Sequence, residues 1–255
     1  STLNLIGLDS STRAHNFTYA SGNLHNITTS RGTGSGTHID KLNGNTTITG
    51  NLTVGANSKF SSGTRVFTVN GDVNITGELD CDDSDKPMTF GTLTIASGGT
   101  YQATSGTTTI TQANGAPVNG RCWFIPNSAT FTHNNGLCKF TASSPQVEMV
   151  SSGGTSTPNP FYDVEQTTGT MQWKGEHTKV LNNATLRGSQ FNGSTGNLTV
   201  LGICRFTAGT FNASDTSTSD NSFFGTLVIE SGATVDLSAI DITVGSVRNL
   251  GGTIQ

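Results

Sequence analysis

Charge is scarce in this chain. Only 12% of its 255 residues are Asp, Glu, Lys or Arg, and the formal net charge is −4. No run of Lys or Arg is present to neutralise a phosphate backbone, which argues against nucleic acid as a partner. Nor does charge repulsion account for the thin core, because the β-branched residues are regularly spaced rather than diluted at random. Hydrophobic residues are also few, at 32%, and none of their runs approaches the length of a membrane-spanning helix, so membrane insertion is not expected. Ser1 opens no recognisable signal peptide, as in a mature product or one that has lost its initiator Met. The strand-like end Gly252-Thr253-Ile254-Gln255 is compatible with a longer protein.

Catalytic and metal patterns are missing as well. The five histidines, His15, His25, His38, His133 and His177, form no His-x-x-x-His or His-Glu-x-x-His pattern and read as surface residues. No Gly-x-Ser-x-Gly elbow occurs. The four cysteines, Cys81, Cys122, Cys138 and Cys204, lack zinc-ribbon or Cys-x-x-Cys spacing. Buried free thiols are expected of them rather than a disulfide framework.

What fills the space is Thr, Ser, Asn and 32 glycines, arranged in short alternating strands. The stretch Phe90-Gly91-Thr92-Leu93-Thr94-Ile95-Ala96-Ser97-Gly98-Gly99-Thr100 returns as Phe224-Gly225-Thr226-Leu227-Val228-Ile229-Glu230-Ser231-Gly232-Ala233-Thr234. Upstream of each copy, Phe67-Thr68-Val69-Asn70-Gly71-Asp72-Val73 answers Leu198-Thr199-Val200-Leu201-Gly202-Ile203-Cys204. The period of two sends Leu93 and Ile95 to one side and Thr94 to the other. Ser97-Gly98 and Ser231-Gly232 then supply turns at which Gly reaches positive φ without a Cβ penalty.

These spacings leave no room for helical crossovers. They predict an all-β protein: a parallel β-helix or β-solenoid with two homologous halves, a tandem β-sandwich or jelly roll being the alternative. Four regions follow: residues 1–40 as an N-terminal cap or attachment segment, 41–112 as a first strand array, 113–160 as an irregular insertion, and 161–255 as a second array. The insertion is expected because five of the six prolines (Pro117, Pro126, Pro145, Pro158, Pro160) fall there, and proline is confined to the edges and turns of sheets. The triplet Gly32, Gly34, Gly36 lacks the spacing of a phosphate cradle and reads as a connector.

The one charge cluster is Asp80-Cys81-Asp82-Asp83-Ser84-Asp85. Asp80, Asp82, Asp83 and Asp85 are candidate ligands for a hard cation such as Ca²⁺, which takes several oxygens. The EF-hand order is missing, however, and a solvated acidic loop is the plainer reading. The same carboxylates, or the scattered Glu78, Asp163, Glu165 and Glu176, would make a glycosidase pair only if fixed across a groove. Tyr162 and Trp173 are aromatics of the kind that stack on sugar rings, although Met171 and Trp173 share a strand face that suits a core. Asn-x-Ser/Thr sequons begin at Asn16, Asn26, Asn45, Asn51, Asn74, Asn183, Asn192, Asn197 and Asn212.

The phrases Asn45-Thr46-Thr47-Ile48-Thr49-Gly50-Asn51-Leu52-Thr53-Val54 and Val69-Asn70-Gly71-Asp72-Val73-Asn74-Ile75-Thr76-Gly77 resemble repeats of bacteriophage virion proteins, the large structural and fibre proteins of tailed phages. Phe161-Tyr162-Asp163-Val164 is similar to strands of β-solenoid surface proteins. The resemblance covers residues 40–110 and 160–254. It implies a non-enzymatic virion component, a fibre, spike or capsid decoration protein, commonly homotrimeric, touching other virion proteins and a host surface glycan or receptor. It carries no catalytic residues and no cofactor. A bacterial surface adhesin or filament subunit, and a polysaccharide depolymerase, are the alternative expectations.

Overall fold

The computed structural model describes residues 2–7, 13–17, 24–31, 37–113, 120–149, 159–174, 177–191, 197–213, 222–236 and 242–255. Among these there is no helix, and the strands wind into a β-solenoid of about nine turns. Every strand ladder is parallel, whereas a jelly roll would show antiparallel ones.

Each turn has three short sides. In one turn Thr46–Ile48 forms face 1, Leu52–Val54 face 2 and Ser58–Ser61 face 3. In the next, Phe67–Ile75 runs through faces 1 and 2 without a break and Glu78–Asp80 forms face 3. Met88–Ile95 and Thr100–Gln102 repeat that plan one turn further on. Phe67 thus lies over Thr46 and under Met88, while Leu79 lies over Phe60 and under Tyr101.

Alternation fills the interior. Ile48, Val69, Phe90, Ile110 and Phe140 stack in register down face 1, all fully buried. Face 2 carries Ile27, Leu52, Val73, Leu93, Trp123, Val147 and Trp173 in the same way. Aromatic rings interlock within and between faces: Phe60–Phe67 at 5.4 Å, Phe67–Phe90 at 6.1 Å, Phe90–Tyr101 at 6.1 Å and Trp123–Phe131 at 5.2 Å between centroids. Burying each such side chain contributes about 1.5–3 kcal/mol, so a narrow core suffices when every turn adds one or two rings.

The described residues between 113 and 160 do not form a separate lobe. Trp123–Ile125, Leu137–Phe140 and Gln146–Met149 are ordinary sides of the solenoid, paired to the turns before and after, and Thr130–Thr132 pairs with Thr100–Gln102 of the turn before. Pro126, Pro145 and Pro160 sit at strand boundaries, where a missing N–H costs no ladder bond. Pro117 and Pro158 lie outside the described residues. The first 40 residues likewise contain coils: Thr2–Gly7 pairs with Asn26–Arg31, and Arg13–Phe17 with His38–Leu42. Gly32, Gly34 and Gly36 fall outside the described residues.

The sequence duplication does not map face onto face. At Gly91 the chain turns from face 1 to face 2, but at Gly225 it turns from face 3 to face 1. The three corners are alike enough to take the same text. At both, the glycine is required by the neighbouring coil: a Cβ on Gly91 would sit 2.5 Å from the carbonyl oxygen of Gly71, and one on Gly225 2.2 Å from that of Leu201. Gly98 and Gly232 serve differently, with φ of +79° and +88° and open space around the missing Cβ.

Candidate functional site

The acidic loop resolves into ion pairs rather than a cage. Asp80 ends a face 3 strand and is nearly buried. Its Oδ2 lies 2.6 Å from Lys59 Nζ, which also reaches Glu78 Oε1 at 2.9 Å, and Gln102 Nε2 donates to the same Glu78 oxygen. Asp83 pairs with Lys41 at 3.1 Å and Asp85 with Lys86 at 3.2 Å. Among the described residues no group of three or more His, Cys, Asp or Glu is placed to hold a metal ion. The four candidate ligands Asp80, Asp82, Asp83 and Asp85 do not converge as a set: Asp80, Asp83 and Asp85 pair with three separate lysines, and Asp82 hydrogen-bonds Asp80.

Electrostatics in this loop are uneven. Partial burial pulls the Lys59 ammonium down, but hydrogen bonds to Asp80 and Glu78 and their charge outweigh it, and its pKa is raised. For Asp80, desolvation pushes upward, while hydrogen bonds from Asp82 and Lys59 more than offset it and hold the carboxyl low. Asp82 is pushed up to about 6, first by its hydrogen bond to Asp80, then by burial and by the charges of Asp80 and Asp83. Below about pH 6 Asp82 therefore holds a proton beside the ionised Asp80 at the end of the face 3 strand.

Several sequon asparagines have a structural task. Asn26 Oδ1 accepts from the Asn51 N–H at 2.8 Å, Asn51 Oδ1 from the Asp72 N–H at 2.9 Å, and Asp72 Oδ1 from the Thr92 hydroxyl at 2.7 Å. This polar ladder climbs the corner beside Gly50, Gly71 and Gly91. Asn45 accepts likewise from Val66 N–H at 3.0 Å. A ladder was not foreseen from the sequence, although its signal is there: an Asn, Asp or Thr follows each corner glycine in Gly50-Asn51, Gly71-Asp72 and Gly91-Thr92.

A second polar surface lies on face 1 of the later turns. Leu137, Asp163, Val164, Glu165, Asn183 and Thr185 line an open groove of about 220 Å³. Asp163 and Glu165 alternate outward on Asp163–Gln166 while Val164 points to the core. Asp163 Oδ1 accepts from Asn182 Nδ2 at 2.9 Å and from the Asn183 N–H at 2.8 Å, and Asn183 Oδ1 accepts from the Ile203 N–H at 3.0 Å. Lys139 Nζ pairs with Glu165 at 2.9 Å. Next to Asp163 in the chain, Tyr162 stacks on His133 with centroids 5.5 Å apart and planes 26° from parallel. Partial burial lowers the His133 pKa, which leaves the ring neutral at physiological pH.

Several of the remaining candidates are core groups. Met171 and Trp173 are buried, and Trp173 Nε1 donates to Ser189 Oγ at 2.6 Å. His38 is not a surface residue. It opens its strand on an inward position, 5% exposed, with Nε2 2.9 Å from Oδ2 of the equally inward Asp40. His25 is exposed and His133 half-buried, while the side chains of His15 and His177 lie outside the described residues. So do Glu176 and the sequon Asn192, together with the side chains of Asn16 and Asn197. All four cysteines are free and buried, and burial pushes their thiols up, to about 12 for Cys81 and Cys122. That makes them inert core groups rather than nucleophiles. Among the described residues no helix is long and apolar enough to cross a membrane.

No protein-family model matches the chain, and neither the curated proteins nor the solved structures searched contain a match.

Proposed function

We propose that this chain is a non-enzymatic structural rod of a virion, a phage fibre, spike or capsid decoration component that works as a homotrimer alongside other virion proteins. The observation that carries this reading is the continuity of the coil. From Thr2 to Ile254 the described strands belong to one stack, with no second lobe built on it. In such a stack each turn is held by its neighbours, so stiffness runs along the axis, as a fibre or spike requires. The exposed flanks are rich in Thr, Asn and Gly, and symmetric association of three copies would cover part of them.

The carboxylates support a binding rather than a cleaving role. Asp80 and Asp82 are hydrogen-bonded to each other, too close for a water or sugar to enter between them, and Glu165 is paired with Lys139. Light scattering on the purified chain tests the assembly: a mass of three chains is expected, and a stable monomer would overturn the trimeric fibre reading. A reducing-end assay on bacterial polysaccharides should stay at background, and sustained release of sugar ends would overturn the non-enzymatic part.

A further inference from the structure

The interior changes character towards the N-terminal coils. On face 3 the inward column reads Asp40, Phe60, Leu79, Tyr101 and Phe131, and on face 2 the column through Thr29 continues as Val54, Ile75 and Ile95. Later coils fill these columns with apolar side chains, whereas this early coil puts a carboxylate and a hydroxyl there. His38 and Ser58 are register partners at the start of face 3. The corner between faces 2 and 3 brings the strand Asn26–Arg31 against both His38–Leu42 and Ser58–Ser61. Thr29, His38, Asp40 and Ser58 thus gather at one corner, each 5% exposed or less. Gly7 of the preceding coil closes over them, since a Cβ there would lie 2.6 Å from the His38 ring.

Two of these groups are already joined, His38 Nε2 to Asp40 Oδ2 at 2.9 Å. The hydroxyls are not. Thr29 Oγ1 and Ser58 Oγ are out of contact with bulk solvent, and among the described residues neither finds a hydrogen-bond partner. Other buried hydroxyls of this core do find one: Thr108 meets the Tyr101 hydroxyl at 3.0 Å, and Ser189 accepts from Trp173. A buried hydroxyl left unpaired destabilises a fold, and protein interiors meet that need with ordered water held by several polar groups.

We propose that this corner holds an ordered internal water, bound by Thr29 Oγ1 and Ser58 Oγ beside the His38–Asp40 pair. Each hydroxyl both donates and accepts, so the water donates to one and accepts from the other. A carboxylate takes several hydrogen bonds on its oxygens, so Asp40 can serve as a further partner while keeping its contact with His38. Val54 and Phe60, the next residues in the two columns, are fully buried and apolar, which confines the water to the polar side of the corner. Among the described residues no third ionisable ligand joins His38 and Asp40, so water rather than a metal ion is the guest. The site belongs to the interior of the early coils and stands whichever role the rod plays.

The experiment compares T29V, S58A and the double variant of the full chain with wild type by urea unfolding. Valine keeps the shape of threonine without its hydroxyl, so the sign of the T29V effect is diagnostic. Removing a hydroxyl that had no partner would relieve its burial cost and raise the urea midpoint. Removing one that holds a water leaves the water short of a partner, so T29V and S58A should each raise the unfolding equilibrium constant about tenfold. Both hydroxyls hold the same water, and the double variant should therefore lose less than the product of the single effects. Oxygen-17 relaxation dispersion of the solvent, which counts long-lived internal waters, should register fewer in the double variant than in wild type. T29V alone decides the sign even if the double variant does not fold. A higher midpoint for T29V, single effects that simply multiply, or an unchanged count of internal waters would overturn the proposal.

Discussion

Asp82 carries a proton that the unfolded chain would release. Its carboxyl protonates at about 6 in the fold, against about 4 for an unstructured Asp. Between those values the folded chain binds more protons than the unfolded one, so stability falls as pH rises through the window. The contribution is complete below about pH 4 and gone above about pH 6. Asp80 acts in the opposite sense: its carboxyl is held low, so its contribution is present above about pH 4 and fades as pH falls through its lowered value. Asn at position 82 can still donate to Asp80 while removing a charge from beside Asp80 and Asp83. D82N should therefore melt at a higher temperature than wild type at about pH 7.5 and converge with it near pH 4.5. Melting curves at the two pH values decide the matter, and an equal difference at both would refute the proton on Asp82.

Corners, more than strands, distinguish this fold at the level of its elements. Gly91 and Gly98 lie seven positions apart in one repeat, yet they are glycines for different reasons. Gly91 has no room for a Cβ against the coil beneath it, whereas Gly98 has room but a left-handed backbone. Replacing Gly98 by Ala should cost about 1 kcal/mol, the ordinary penalty for Ala at positive φ. G91V and G225V should cost more than about 3 kcal/mol, because two coils must separate to admit the branched side chain. Urea midpoints of the three variants will rank them, and a G91V protein as stable as G98A would show that the corner is looser than it looks. The strands themselves were legible in the sequence, since Leu93-Thr94-Ile95 and its relatives announce an inward and an outward side. The turns at Ser97-Gly98 and Ser231-Gly232 were legible too. What the sequence hid was the packing direction along the axis. Nothing local to Gly91 tells a steric glycine from a conformational one, and nothing local to Pro126 or Pro145 tells a strand boundary from an interrupted sheet. The acidic loop, for which a solvated loop was already the plainer reading, hid its partners for a related reason: Asp80 and Asp83 are neighbours in sequence, but the lysines they pair with, Lys59 and Lys41, come from two earlier strands. The face 1 groove was equally hidden, because Leu137, Asp163 and Asn183 meet only when three successive turns are stacked.

For the whole molecule, stacking means that a turn is both the unit of stability and the unit of length. Each coil contacts chiefly its two neighbours, so its removal should cost one interface and spare the rest. Residues 67–87 make one such turn: Phe67 pairs with Met88 above and Thr46 below, and Val73 pairs with Leu93 above and Leu52 below. Their deletion would set Met88 over Thr46 and Leu93 over Leu52, with every inward residue still inward. Gly91 would sit over Gly50, and the Thr92 N–H would take the place of the Asp72 N–H on Asn51 Oδ1. The Lys59 pairs with Glu78 and Asp80 would be lost, but both carboxylates leave with the turn and Lys59, itself partly exposed, can turn its ammonium to solvent, so no buried charge is stranded. A chain lacking residues 67–87 should therefore remain folded, with a parallel-β circular dichroism spectrum and a cooperative melt a few degrees lower. Deleting only 67–77 removes half a turn, puts face 3 residues over face 1 and breaks the column of buried side chains, so that chain should not fold. If both deletions fold equally well, the register between coils is not what holds the rod together. If neither folds, the turns are coupled over a longer range than nearest neighbours.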